Sequence, residues 1–210
     1  SYLLSHYARD LNHETVSVAR RAINTLRDQE VHSLETVLGR TSEANACLVG
    51  QTSEDRSSVL LDLASKIKSG RVVPALEHKH VFILNSEVLL EVKEGKELEL
   101  ELTKILDEAV KAGNIILAID NFAGFITSTK KQNLNIVSLL DPYLASNKLQ
   151  FIALVSQAEF HQNIEADQAL LSRFEKVEVI SPDRTHLNQI AMLTASRLER
   201  GGHVFFTYPG

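Results

Sequence analysis

The sequence predicts an α/β fold, a five-stranded parallel sheet held between helices. Five short aliphatic runs recur along the chain: Ala46 to Val49, Val81 to Leu84, Ile115 to Ile119, Phe151 to Val155 and Val177 to Ile180. Most are apolar almost throughout, as strands covered on both faces are. Between them, apolar residues recur at helical spacing, and alternation of the two periods calls for parallel strands joined by right-handed crossovers. The composition agrees, since 210 residues at 44% hydrophobic and 23% charged suit one or two globular domains with a proper core.

The elements follow in order. Glu14 to Leu38 reads as helix, with Val18, Ala22, Ile23 and Leu26 as its stripe. The first strand holds the single cysteine, Cys47, whose apolar neighbours mark it as a buried small hydrophobe; a disulfide within the chain is impossible. Val59, Leu60, Leu63, Ala64 and Ile67 share a helical face that stops at Ser69-Gly70. Leu98, Leu102, Ile105, Leu106 and Ala109 do the same before Gly113. Glu97, Glu99 and Glu101 alternate with Leu98, Leu100 and Leu102, which mimics a strand, but a solvated helix face interrupted by Leu100 is the better reading. Thr127-Ser128-Thr129 leading to Lys130-Lys131 reads as a surface loop. After the fifth run, Ser181-Pro182-Asp183 breaks the chain, and Leu187, Ile190, Ala191, Leu193, Thr194 and Leu198 predict a helix ended by Gly201-Gly202. Residues 1–180 thus read as a large α/β domain and 181–210 as the beginning of a small helical one.

Several functions are set aside. A net charge of -5 and a pI near 5.9 provide no electrostatic basis for holding a nucleic-acid backbone. No run approaches the ~18 apolar residues of a membrane span, and Ser1-Tyr2-Leu3-Leu4 lacks the basic start of a signal peptide. A cytoplasmic location is the expectation. Lacking an initiator Met and ending at Tyr208-Pro209-Gly210, the chain reads as a piece of a longer protein. Among the eight histidines, the closest spacing, His78 and His80, faces opposite ways in an extended segment, and no Cys or acidic cluster completes a site. A Gly-x-Ser-x-Gly elbow and a Cys/His nucleophile pair are both missing, so hydrolase chemistry has no support.

One stretch carries chemistry. Gly50-Gln51-Thr52-Ser53-Glu54-Asp55-Arg56-Ser57 follows the first predicted strand and opens a helix, the position of a phosphate-binding P-loop, G-x-x-x-x-G-K-[ST]. Such a loop converges backbone N–H groups on phosphate, with a lysine reaching the outer phosphates and a hydroxyl on magnesium. Gly50 is kept and Ser57 could supply the hydroxyl, but Asp55 and Arg56 stand where the second glycine and the lysine belong. Glu54 and Asp55 place carboxylates where an anion would sit; a like-charge contact at ~4 Å costs about 1–4 kcal/mol, enough for a tenfold loss of affinity or more. Arg56 keeps the charge but not the compact ammonium. Taken alone, the stretch reads as a polar strand-to-helix loop with a capping Ser or Asp.

A second feature gives it context. Ile115-Ile116-Leu117-Ala118-Ile119-Asp120-Asn121 has the form of a Walker B strand, ending in an aspartate suited to a magnesium shell. A hydrolytic ATPase usually places a glutamate next, as the base for water; Asn121 cannot take that proton.

With both features in place, the chain resembles the first AAA+ module of the Clp/Hsp100 unfoldases over nearly its whole length. Tyr7-Ala8-Arg9-Asp10-Leu11-Asn12 is similar to the family's Y-G-R-D-L-T, and Leu26-Arg27-Asp28-Gln29-Glu30-Val31 to its I-G-R-x-x-E-I. Arg40 to Gly50 follows its approach to the P-loop, keeping Asn45 and replacing proline by Ala46. Asn114 to Asp120 looks like N-I-I-L-F-I-D, and Ala169-Leu170-Leu171-Ser172-Arg173-Phe174 like A-L-E-R-R-F.

The resemblance implies an AAA+ P-loop fold with the start of a helical lid, a ring-type homo- or hetero-oligomer, and ATP or ADP with Mg as ligand, bound weakly at best. It also implies what is altered. The sensor position falls near Val155 or Ser156, Ser172 replaces one of two arginines and leaves Arg173 as the arginine finger, and the pore segment Glu91-Val92-Lys93-Glu94-Gly95 has no aromatic. Loss at five places with the framework kept implies a pseudo-ATPase retained for packing or assembly, the competing expectations being a weak ATPase built on Arg56, Ser57 and Asp120 or a stand-alone interaction module.

Overall fold

The computed structural model describes residues 2–14 and 27–181. The five expected strands are present as β2 (Asn45–Val49), β3 (His80–Leu84), β4 (Ile115–Ile119), β5 (Gln150–Val155) and β6 (Glu175–Glu178), all parallel. A sixth, β1 (Ala8–Asp10), joins the edge antiparallel to β3, giving the order β1-β3-β4-β5-β2-β6. Three residues of mixed polarity give no alternation to read, so β1 was not expected. The last strand also starts earlier than its aliphatic run predicts, and Ile180 beyond it is 71% exposed.

Between these strands run α1 (Tyr2–Tyr7), α2 (Asp28–Leu38), α3 (Ser53–Lys68), α4 (Ser86–Val92), α5 (Gly95–Ala112), α6 (Phe122–Lys131) and α7 (Ile136–Leu144). Then come α8 (Gln157–Glu159), which passes into a π-helical turn over Phe160–Ile164, and α9 (Gln168–Arg173). Single 3-10 turns lie at Leu11–His13 and Pro74–Leu76. Every residue of β2 and β4 is buried. Because side chains alternate along a strand, Cys47, Val49, Leu117, Ile119 and Ala153 pack against α5, α6 and α7. Ala46, Leu48, Ile116, Ala118 and Ile152 pack against α2 and α3. Cys47 is fully buried, and burial pushes its thiol up to about 12, so it is a packing residue.

The first of these layers is anchored by Phe122, Phe151 and Phe174, whose ring centroids lie 5.8–6.0 Å apart in edge-to-face contacts. In α5, Leu98 and Leu102 are fully buried while Leu100 is 61% exposed, which settles the Glu/Leu alternation as helix. Its end needs Gly113, at φ 73. Lys130-Lys131 is not a surface loop but the last turn of α6, where buried Thr129 donates to the Phe125 carbonyl. The stripe from Val18 to Leu26 and the helix expected after Pro182, with the small domain it belongs to, lie outside the described residues.

Candidate functional site

The P-loop position lies at the carboxyl ends of β2 and β4, where parallel α/β sheets place ligands. Its geometry departs from a phosphate loop. Between β2 and α3 only Gly50, Gln51 and Thr52 are non-helical, so Ser53, Glu54, Asp55, Arg56 and Ser57 belong to the helix. The cap is Thr52, whose side chain accepts from the Asp55 N–H at 3.1 Å, and Glu54 and Asp55 complement the dipole of the first turn.

Arg56 turns back under this turn and is 7% exposed. Its Nη1 donates to the Gly50 carbonyl at 2.6 Å, and Nη2 lies 3.9 Å from Asp120 Oδ1. A Cβ on Gly50 would sit 3.0 Å from Val179 Cβ and 3.1 Å from Arg56 Cγ, so the glycine here admits the arginine stem. A cleft of ≈ 430 Å³ is lined by Gly50 and Val179, and another of ≈ 290 Å³ by Asn85 and Asp120.

Asp120 is engaged by a different serine from the one expected. Ser53 Oγ donates to its Oδ2 at 3.0 Å, while Oδ1 accepts the Asn121 N–H at 2.9 Å; Ser57 is one helical turn further along. Asn121 adopts φ 48 and caps α6, its Oδ1 accepting from Gly124 N. Asparagine tolerates this left-handed geometry. A Cβ at Gly124 would lie 2.5 Å from that oxygen, so Asn121 and Gly124 work as a pair.

The residue that sequence reading underrated is Arg27, noted there only within a framing segment. It is 2% exposed. Nη2 donates to Asp55 Oδ1 at 2.6 Å and Nη1 to Glu30 Oε1 at 3.3 Å, and the Ile180 carbonyl also accepts from Nη1. Asp55 Oδ2 accepts from Thr52 at 2.8 Å and from Ser181 at 2.7 Å. Partial burial pushes the Asp55 carboxyl up, but the hydrogen bonds from Ser181 and Thr52 and the Arg27 charge outweigh it and hold the carboxyl below its ordinary value. The sign of Glu30, three residues after Arg27, was the available signal.

At the sensor position, Val155 is buried and paired with Val49, and Ser156 is committed to a capping box with Glu159. Arg173 is one-quarter exposed; its Nε and Nη2 donate to Asp141 at 2.9 and 3.4 Å, and Nη1 to Glu43. Glu91-Val92-Lys93-Glu94-Gly95 spans the end of α4 and the start of α5, with Val92 58% exposed.

A parallel sheet with a capped loop after β2 and an aspartate closing β4 defines a P-loop NTPase-type module. Its relatives narrow the class. The chain is 30% identical over 183 residues to the chaperone protein ClpB of Helicobacter hepaticus, covering 86% of this chain and 21% of that protein. It is 30% identical over 175 residues to the chloroplastic chaperone protein ClpC1 of Arabidopsis thaliana, covering 82% and 19%. It is 32% identical over 158 residues to the ATP-dependent Clp protease ATP-binding subunit ClpC of Staphylococcus aureus, covering 74% and 19%. The chain therefore spans about a fifth of these relatives. Its structure is similar to closed-state Hsp104 with ATPγS and FITC casein, at a TM-score of 0.74 and 25% identity over 95% of this chain and 34% of that one. No family model matches. The chain belongs to the Clp/Hsp100 family of AAA+ modules. No helix among the described residues is long and apolar enough to cross a membrane.

Proposed function

We propose that this Clp/Hsp100 module has lost ATP hydrolysis, binds nucleotide weakly at best and serves as a structural or regulatory part of a ring-type protein-remodelling assembly. The supporting observation is the Arg56 guanidinium, which is buried and held between the Gly50 carbonyl and Asp120 rather than free to meet a phosphate. The residues present do not fit a magnesium triphosphate. The wrapping loop is three residues long, the second glycine is an aspartate bound to Arg27, and Asn121, a helix cap, cannot act as base.

Titration of Mg-ATP and Mg-ADP into the full chain, read by calorimetry, is expected to show no saturation below about 1 mM, weaker than roughly −4.1 kcal/mol. Low-micromolar binding or measurable turnover would overturn the reading. One observation favours a weak ATPase instead: Ser53 and Asp120 still pair a hydroxyl with a carboxylate at 3.0 Å, the kind of donor set magnesium takes. That reading requires Mg-dependent binding that D120N abolishes.

As an arginine finger, Arg173 must leave Asp141 and Glu43 to reach a neighbouring subunit. In the assembled full-length protein, R173A is expected to lower a neighbouring module's ATPase rate severalfold. An unchanged rate would instead make Arg173 a clamp between α7 and α9, and sedimentation showing a monomer would favour a stand-alone interaction module. Nucleic acid and membrane stay outside this proposal, whose partners are proteins.

A further inference from the structure

We propose that Asp10, His13 and His80 form a binding site for a divalent transition-metal ion, with zinc the best chemical fit, that clips the edge strand β1 to the sheet. One ligand atom from each of the three lies within 4.8 Å of the others. Asp10 Oδ2 is 3.0 Å from His80 Nδ1 and 3.4 Å from His13 Nε2. Ligands at ~2.0–2.1 Å around a tetrahedral zinc stand about 3.3 Å apart, so two of the three separations already match. The third closes by rotation of His13, whose side chain is 80% exposed.

The backbone around these groups is held independently of any ion. Asn12, between the two ligands of the first segment, brackets His80: its Nδ2 donates to the Lys79 carbonyl at 2.9 Å and its Oδ1 accepts from Val81 N at 3.0 Å. His80 N donates to the Asn114 carbonyl at 2.8 Å, and Asp10 stands opposite Phe82 in the β1–β3 ladder. Asp10 Oδ1 accepts the Asn12 N–H at 2.9 Å, which leaves Oδ2 aimed at both imidazoles. A carboxylate oriented by a backbone hydrogen bond and facing two imidazoles is a two-histidine, one-carboxylate donor set, which suits zinc, cobalt, nickel or iron and leaves room for water as a further ligand.

The spacing of His78 and His80 hid this set because its partners are 67 and 70 residues away along the chain. A charge-assisted Asp10–His80 pair would account for those two residues, but not for His13 converging on the same oxygen.

The test is calorimetric titration of Zn²⁺ into the chelator-stripped full chain at about pH 7.5, held fixed because metal affinity depends on pH, with Co²⁺ visible absorption as a second readout. One equivalent is expected to bind, H13A is expected to weaken binding at least tenfold, and H161A to leave it unchanged. Because His13 is exposed, H13A keeps the fold, and the zinc-induced rise in melting temperature is expected to vanish in it. Absence of saturable zinc binding, equal affinity in H13A, or an equal loss in H161A would overturn the site. Nucleotide binding enters none of these readouts, so the outcome is independent of the proposed pseudo-ATPase.

Discussion

Replacing Arg27 by alanine is expected to lower unfolding stability by about 3–5 kcal/mol, the range for removing one partner of a buried ion pair. The guanidinium is 2% exposed and bridges Asp55, Glu30 and the Ile180 carbonyl, so its loss takes the cation from two carboxyl groups at once. Arg27→Lys recovers only part of the loss, because a point charge cannot serve three acceptors in a planar fork. The measurement is urea unfolding of wild type and variants, and a difference under about 1 kcal/mol would class the pair with solvent-screened surface bridges. The sign of the pH dependence follows from Asp55. Its folded pKa is depressed below 3.8, so its contribution is complete above that value and is lost as pH falls through the folded pKa. The gap between wild type and R27A is therefore expected to narrow in acid.

Phe151→Ala is expected to cost about 3–5 kcal/mol through lost transfer energy and a cavity in the core. Phe151 is 1% exposed at the start of central strand β5, with Phe122 and Phe174 against its edges. Each ring bounds the same space, so F122A combined with F151A should fall short of the sum of the singles. Urea unfolding checks both statements; strict additivity would show that the rings are energetically separate.

What was legible in the sequence followed from burial. Strands β2, β4 and β5 are covered on both faces and β3 more loosely, so their aliphatic runs announced them; β1, at an edge and three residues long, carried no such pattern. Gly50, Asp55, Arg56 and Asp120 do gather at one end of the sheet, as their motif order implied. Ser57 does not meet Asp120, because Thr52 caps the helix early enough to present Ser53 there. Arg27 and the Asp10–His80 contact were illegible because both depend on pairing across long sequence separation.

The early helix start also bears on reversibility. Glycine at position 55 would remove one of the two carboxylates that hold buried Arg27, and lysine at position 56 would exchange the bridging fork between Gly50 and Asp120 for a single ammonium. Each of these two substitutions is expected to lower stability before any ligand can compensate. If the module has lost its nucleotide chemistry as proposed, these residues act as a ratchet, because folding itself then opposes a return to a phosphate loop.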